Sequence, residues 1–183
     1  MTALITDILM ISRLEGNDVV EKKTDIALRP AVEELCKSFT PMANEHRVML
    51  EMQCETLCVH MSQKHVEQLI GNLISNAIKY NHEGGTVDVL IRRQENLLVI
   101  TVEDSGIGIS KEDEKHIFER FYRVDKGRSR KIGGTGLGLS IVKHIARYYH
   151  GKIDLFSREN IGTTITITLP DVIVDESSAD QAA

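Results

Sequence analysis

The sequence predicts an α+β fold, a two-layer sandwich in which a mixed, mostly antiparallel sheet carries helices on one face. Three observations predict it. Residues 63–80 repeat apolar side chains at helical spacing, with Val66, Leu69, Ile70, Leu73, Ala77 and Ile78 on one stripe. Two alternating runs, 86–93 and 97–103, flank a turn at 94–96 and read as an antiparallel pair. A helix at 138–150, stopped by Gly151, precedes two more alternating strands near 152–157 and 163–169. Strands bracketed by helices, with mostly antiparallel neighbours, favour two layers over a doubly wound sheet.

The other elements follow in chain order. Residues 1–17 place Leu4, Ile5, Ile8, Leu9 and Ile11 on a helical stripe that ends at Gly16 and Asn17. A charged linker at 18–23 leads to a short strand near 24–28. Next comes a helix from Pro30 to about Glu45, with one proline in its first turn and a second, Pro41, expected to bend or split it. Val48 to Met61 alternates as two short strands around Glu55 and Thr56. Ser110 and Asp113 form a capping pattern for a helix running to about Arg120. Residues 124–135 are polar, basic and glycine-containing without periodicity, which predicts a long mobile loop. The main domain therefore spans 24–170, and 171–183 is expected to be an acidic disordered tail.

Composition narrows the function classes. A chain of 183 residues, 42% hydrophobic and 27% charged, has room for one domain with a real core. Its net charge of -5, with one sustained basic run at 126–131, argues against nucleic acid as a partner. No apolar stretch approaches the roughly 20 residues of a membrane span, and the N-terminus has no signal-peptide pattern. Cys36, Cys54 and Cys58 read as reduced thiols, since the alternation of 48–61 accounts for buried cysteines without a zinc site at Cys54, Cys58 and His60.

Three blocks carry the chemistry. Asn72 to Tyr80 reads N-L-I-S-N-A-I-K-Y, and the i, i+4, i+8 spacing of Asn72, Asn76 and Tyr80, with Lys79 beside them, gives one helix face two amides, a cation and a phenol. A neutral amide oxygen suits Mg2+, which keeps most of its waters and completes its shell from phosphates. Asp104 to Ile109 reads D-S-G-I-G-I. There a carboxylate at a strand end can accept the adenine exocyclic amine, while Gly106 and Gly108 let a planar base approach the backbone. Gly133 to Ser140 reads G-G-T-G-L-G-L-S, whose G-x-G-x-G spacing without a preceding parallel-strand unit excludes a dinucleotide fingerprint. A glycine turn opening the Leu139 helix instead supplies N–H groups and a positive helix end for phosphate. The loop before it would act as a lid, with Arg123, Lys126, Arg128, Arg130 and Lys131 available to phosphates. Each block alone is an ordinary helix face or turn; in this order they point to adenine, a metal and phosphates.

With a further stretch, I-F-E-R-F-Y-R-V-D at Ile117 to Asp125, these blocks resemble the catalytic and ATP-binding domain of bacterial sensor histidine kinases. That family lies within the gyrase, Hsp90, kinase and MutL superfamily. The resemblance covers roughly 24–170, and the wording around 121–138 is most similar to Gram-positive kinases of the phosphate-sensor and cell-wall-sensor type. It implies the Bergerat-type ATP-binding fold, with ATP and Mg2+ as cofactors. By resemblance Asn76 is the Mg2+ ligand, Asn72 assists it, Lys79 meets phosphate, Tyr80 borders the nucleotide and Asp104 accepts adenine. Arg123 matches the arginine beside the aromatic box. Gly106, Gly108, Ile109, Tyr122, Gly134, Thr135, Gly136, Leu137, Gly138 and Leu139 complete the nucleotide site. Phe118, Phe121 and Tyr122 are open to either core or gating roles, and His144 reads as a surface histidine.

The resemblance also implies partners and place. Residues 1–17 are similar to the end of the second helix of a dimerisation and phosphoacceptor hairpin, so the chain is expected to be a truncated kinase that does not autophosphorylate alone. Its partners would be that hairpin and a response-regulator receiver domain. The fragment would be a cytoplasmic monomer, and the full-length protein a homodimer anchored in the cell membrane. Two rivals remain: a superfamily ATPase, whose water-activating glutamate would fall where this chain has Asn72, and a nucleotide-binding interaction module without histidine phosphotransfer.

Overall fold

The computed structural model describes residues 21–124 and 135–174. The expected helix at 1–17, residues 18–20 of the linker, the loop from 125 to 134 with Gly133 and Gly134, and the segment from 175 onward lie outside the described residues.

A five-stranded sheet forms the frame, in the order β2 (Met49–Cys54), β4 (Thr86–Gln94), β5 (Leu97–Asp104), β7 (Gly162–Pro170), β6 (Lys152–Arg158). The β2–β4 pair is parallel and the other three pairs are antiparallel. Three helices cover one face: α1 (Leu28–His46), α2 (Gln63–Lys79) and α3 (Gly138–Tyr148). Strand alternation explains why only one face is covered. Val87, Val89 and Ile91 of β4, Leu98, Ile100 and Val102 of β5, and Ile165, Ile167 and Leu169 of β7 enter one buried cluster with Leu69, Ile70, Leu73 and Ile78 of α2 and Ile141, Val142 and Ile145 of α3. The intervening Asp88, Glu103 and Thr166 stay on the open face. Burial of these branched side chains, at about 1.5–3 kcal/mol each, is the main force holding the layers together.

A second, smaller sheet joins β1 (Thr24–Ala27), β3 (Cys58–Met61) and β8 (Ile173–Val174), all antiparallel. Here the tail differs from its expectation. Val172 is 3% exposed and its carbonyl accepts the His60 N–H at 2.7 Å, so the folded chain continues at least to Val174 rather than ending at 170.

Three further expectations are corrected. Pro41 does not split α1, which runs unbroken from Leu28 to His46. Pro41 and Lys37, whose carbonyl loses its partner, both lie on the exposed side, where water can serve that carbonyl. The helix expected from Ser110 to Arg120 is a single 3-10 turn at Asp113–Lys115. Its cap is present, with Ser110 Oγ donating to Asp113 Oδ2 at 2.6 Å and accepting Asp113 N–H at 3.1 Å. Ile117 is the one buried apolar anchor of the segment, and i to i-3 bonds such as Glu119 N–H to His116 O mix with isolated i to i-4 bonds in place of a continuous helical ladder. Finally, α3 ends two residues earlier than expected, and the left-handed residue after it is His150, at φ 55°, rather than Gly151. Gly151 is required for another reason: a Cβ there would lie 2.4 Å from Leu169 Cδ2.

The linker residues that are described are fastened down. Glu21 pairs with Lys64 at 3.1 Å, and the Lys23 ammonium sits 5.2 and 5.1 Å from the Tyr148 and Tyr149 ring centres. This anchor holds the N-terminal end of α2 and the C-terminal end of α3. The opposite ends of the same helices carry the candidate site.

Candidate nucleotide site

Helix α2 turns its apolar stripe to the sheet and leaves Asn72, Asn76 and Lys79 half-buried at the edge of the core. Asn72 is fixed by its own helix, its Nδ2 donating to Gln68 O at 2.8 Å. Its other amide atom faces α3: a Cβ added to Gly138 would lie 2.9 Å from Asn72 Oδ1. The glycine that opens α3 thus makes room for the first asparagine of α2. One turn further on, among the described residues the Asn76 amide makes no hydrogen bond and Lys79 no ion pair. An amide oxygen and a cation stand ready on the same face.

Asp104 is the last residue of β5 and is half-buried. The Gly106 N–H donates to its Oδ1 at 2.9 Å, and the Thr163 main chain also reaches the carboxylate. Desolvation by burial outweighs these two bonds and lifts its pKa from the ordinary 3.8 to about 6. A carboxylate held back from water at a strand end is an acceptor in search of a donor.

The two glycines after it are required by close approach. A Cβ on Gly106 would stand 2.3 Å from Tyr80 O, and Gly108 adopts φ +66° with the Arg158 carbonyl 2.1 Å from where its Cβ would be. Ile107 N–H donates to Tyr80 O at 3.0 Å, so the end of α2 and the carboxylate turn are one unit. Asn81, which lies just past the first block, and Ser105, which lies within the second but was given no role there, reinforce it. Ser105 Oγ accepts Thr86 N–H at 2.8 Å, while Asn81 Nδ2 donates to Thr86 O at 2.8 Å. Their signal in the sequence was only adjacency, one to Tyr80 and one to Asp104.

The aromatic stretch meets the second glycine turn through its backbone. Phe121 N–H donates to Gly136 O at 2.9 Å, and a Cβ on Gly136 would lie 2.9 Å from Phe121 Cα. Tyr122 donates its hydroxyl to Asp113 Oδ1 at 2.6 Å, a bond that raises the phenol and helps lower the Asp113 carboxyl. Phe121 is 59% exposed at φ 62°, so it is not a core contact. Leu137 is fully buried and its N–H donates to Thr135 Oγ1 at 3.3 Å; Thr135, Leu139 and Arg123 are half-buried, as is Ile109 at the exit of the Asp104 turn. Gly134 lies outside the described residues. His144 is half-buried rather than exposed. The buried histidine is His65, whose Nδ1 lies 3.1 Å from Tyr149 Oη and whose pKa is lowered chiefly by burial.

Among the described residues no group of three His, Cys, Asp or Glu side chains could hold a metal. A cation at Asn76 would be held by one amide, water and ligand phosphates, which is the pattern of Mg2+ rather than of zinc or calcium. Cys36 and Cys54 are pushed up to about 11 by burial, as unreactive thiols.

Residues 61–173 match the model of the histidine kinase-, DNA gyrase B-, and HSP90-like ATPase family. The chain belongs to this family. Within it the chain is of the sensor-histidine-kinase type. It is 38% identical over 185 residues to the sensor histidine kinase WalK of Bacillus subtilis, covering 100% of this chain and 30% of that protein. It is 39% identical over 172 residues to RppB of Synechocystis, covering 93% of the chain and 38% of the relative. The chain therefore spans about a third of the length of these relatives. The catalytic domain of the histidine kinase ThkA superposes with a TM-score of 0.70 at 26% identity, covering 81% of this chain and 95% of that one. Full-length ShkA has the same fold, with a TM-score of 0.83 at 20% identity over 94% of this chain and 36% of its own.

Proposed function

We propose that this catalytic domain binds MgATP in the pocket between α2, the Asp104 turn and the start of α3, and presents the γ-phosphoryl to a histidine on a separate helical hairpin. The phosphohistidine then passes its phosphoryl to an aspartate of a receiver domain. One observation carries the reading: the turn of the half-buried Asp104 carboxylate, raised to about 6, packs on Tyr80 of the α2 end, and the glycine that opens α3 packs on Asn72, so the two flank Asn76, whose amide has no partner among the described residues.

Each part has a chemical role. Asp104 accepts the adenine exocyclic amine, a donor that guanine lacks at the matching position. Gly106 and Gly108 let the turn close against Tyr80 and Arg158, which sets where Asp104 meets the base. The N–H groups at the start of α3 and the Lys79 ammonium face phosphate oxygens. Bound Mg2+ would neutralise phosphate charge, with Asn76 as its protein ligand and Asn72 orienting the neighbouring shell. Arg123 stabilises charge on the transferring group. Catalysis is then positioning and electrostatics, without a covalent step on this domain.

Asn72 also separates kinase from ATPase chemistry. Its Nδ2 is committed to Gln68 O, and an amide cannot take a proton from water. The slow intrinsic hydrolysis expected from this amide fits transfer to an acceptor better than a hydrolysis cycle. No described helix is long and apolar enough to cross a membrane; anchoring in the cell membrane and dimerisation belong, in this proposal, to a longer protein.

Titration calorimetry tests the pocket. MgATP binding at around 10 μM is expected, an affinity of about -7 kcal/mol. Asp104→Asn and Asn76→Ala should each weaken it tenfold or more, and binding indifferent to both substitutions would refute the assignment.

A further inference from the structure

Ser157 lies on the inward face of β6, in line with the apolar Ile153 and Leu155, and is 2% exposed. A hydroxyl at such a position is costly unless it is bonded. Its Oγ has three partners: it accepts the Ile109 N–H at 2.9 Å, donates to Gly162 O at 3.0 Å and stands 2.9 Å from Thr163 Oγ1. One hydroxyl proton cannot serve two acceptors. With the Ser157 proton on Gly162 O, the Thr163 hydroxyl donates to Ser157.

Those partners bracket the carboxylate turn. Ile109 is its exit. Thr163 is the cross-strand neighbour of Asp104, and its main chain bonds the Asp104 carboxylate. Gly162 presses on the turn so closely that a Cβ would lie 1.9 Å from Asp104 O. The hairpin between β6 and β7 adds a backbone clamp, Asn160 N–H to Ile107 O at 2.7 Å. Among the described residues, Ser157 is the side chain that holds both the exit of the turn and the strand beside its carboxylate.

We infer that Ser157 is a positioning residue for adenine recognition, acting through Ile109 and Thr163 to fix where Asp104 presents its acceptor oxygen. The inference rests on the reading of Asp104 as the adenine acceptor. Hydrogen bonds weaken steeply with misalignment, so a turn free to shift loses the adenine bond first. Contacts to the phosphates, which come from α2 and α3, are untouched. Loss of Ser157 therefore weakens adenine nucleotides selectively.

The test uses the 183-residue chain with Ser157→Ala, Ser157→Thr and Asp104→Asn. MgADP affinity is measured by calorimetry, MgGDP affinity by competition, and folding by thermal unfolding. Ser157→Ala should weaken ADP about tenfold, the equivalent of one well-placed hydrogen bond, and leave GDP within about twofold. Ser157→Thr, which keeps the hydroxyl, should restore most of the loss. Unchanged ADP affinity in a folded Ser157→Ala protein overturns the inference, and so does an equal loss of ADP and GDP, the mark of general loosening. Should the alanine variant not fold, Ser157→Cys preserves volume with a weaker donor and acceptor; a selective ADP loss supports the inference and an unchanged ADP affinity overturns it. Asp104→Asn separates the two readings. No effect there defeats adenine recognition by Asp104 itself, whereas an effect there with none at Ser157 defeats only the positioning role.

Discussion

Burial lifts Asp104 to about 6, and an adenine amine donated to it must pull it down again. The sign follows from linkage. In the free protein a raised carboxyl contributes stability that is fully present below 3.8 and is lost as pH rises through about 6. A ligand donor favours the ionised form, so binding near pH 6 releases a proton, while at pH 8 Asp104 is already ionised and releases none. Calorimetry of MgADP binding in buffers of different ionisation enthalpy reads this directly. Net proton release at pH 6 that disappears at pH 8 and in Asp104→Asn is expected. Uptake at pH 6, or release unaltered by Asp104→Asn, would mean that the adenine amine is not bonded there.

At the scale of elements, the site is a set of joints between helix ends and turns, and two glycines distinguish a joint from an ordinary bend. Gly162 holds φ +144° with Asp104 O 1.9 Å from an added Cβ, whereas Gly84, at φ +81°, has nothing within 4 Å. Gly84→Ala should cost about 1 kcal/mol of backbone strain, seen as a shift of a few degrees in thermal unfolding. Gly162→Ala must move either β5 or the hairpin, and a loss of about 3 kcal/mol or more is expected, together with weakened ADP binding. Equal shifts for the two variants would show that the strand contact yields easily. The same contrast explains what the sequence made legible. Periodicity located α2, the β4–β5 pair and the β6–β7 pair, because each buries a regular stripe. It overestimated the 110–120 helix, where a sound cap had only Ile117 to anchor it. It also passed over Ser157 and Thr163, since a small polar residue inside an alternating strand looks like a gap in the pattern until the turn it holds is in place. The acidic composition after 170 likewise concealed β8, whose two residues are too few to show alternation.

At the scale of the whole molecule, α2 and α3 connect two ends with different roles. One end carries Asn76, Lys79 and Gly138, the proposed nucleotide site; the other carries Lys64, Tyr148 and Tyr149 under Glu21 and Lys23. Glu21 and Lys23, the described start of the chain, therefore lie at the end of the helices opposite the proposed phosphate site. In the proposed reading the phosphoacceptor reaches the site from outside this domain. Neither His65 nor His60 suits the role, since His65 is fully buried with its Nδ1 against Tyr149 Oη and His60 is engaged with Asp25 at 2.6 Å. Incubation with γ-labelled ATP should leave this chain unlabelled, and addition of a phosphoacceptor hairpin from a related kinase should place acid-labile, base-stable label on the hairpin. Asn76→Ala and Asp104→Asn should abolish that transfer, the first through the metal and the second through the base. Lys23→Ala, which removes the cation over the two tyrosine rings, should leave transfer in trans within about twofold, because the linker anchor is remote from the reacting phosphate. Acid-labile label on this chain alone would reveal an acceptor histidine within it and overturn the division of labour; transfer that survives Asn76→Ala would remove the amide from the metal site.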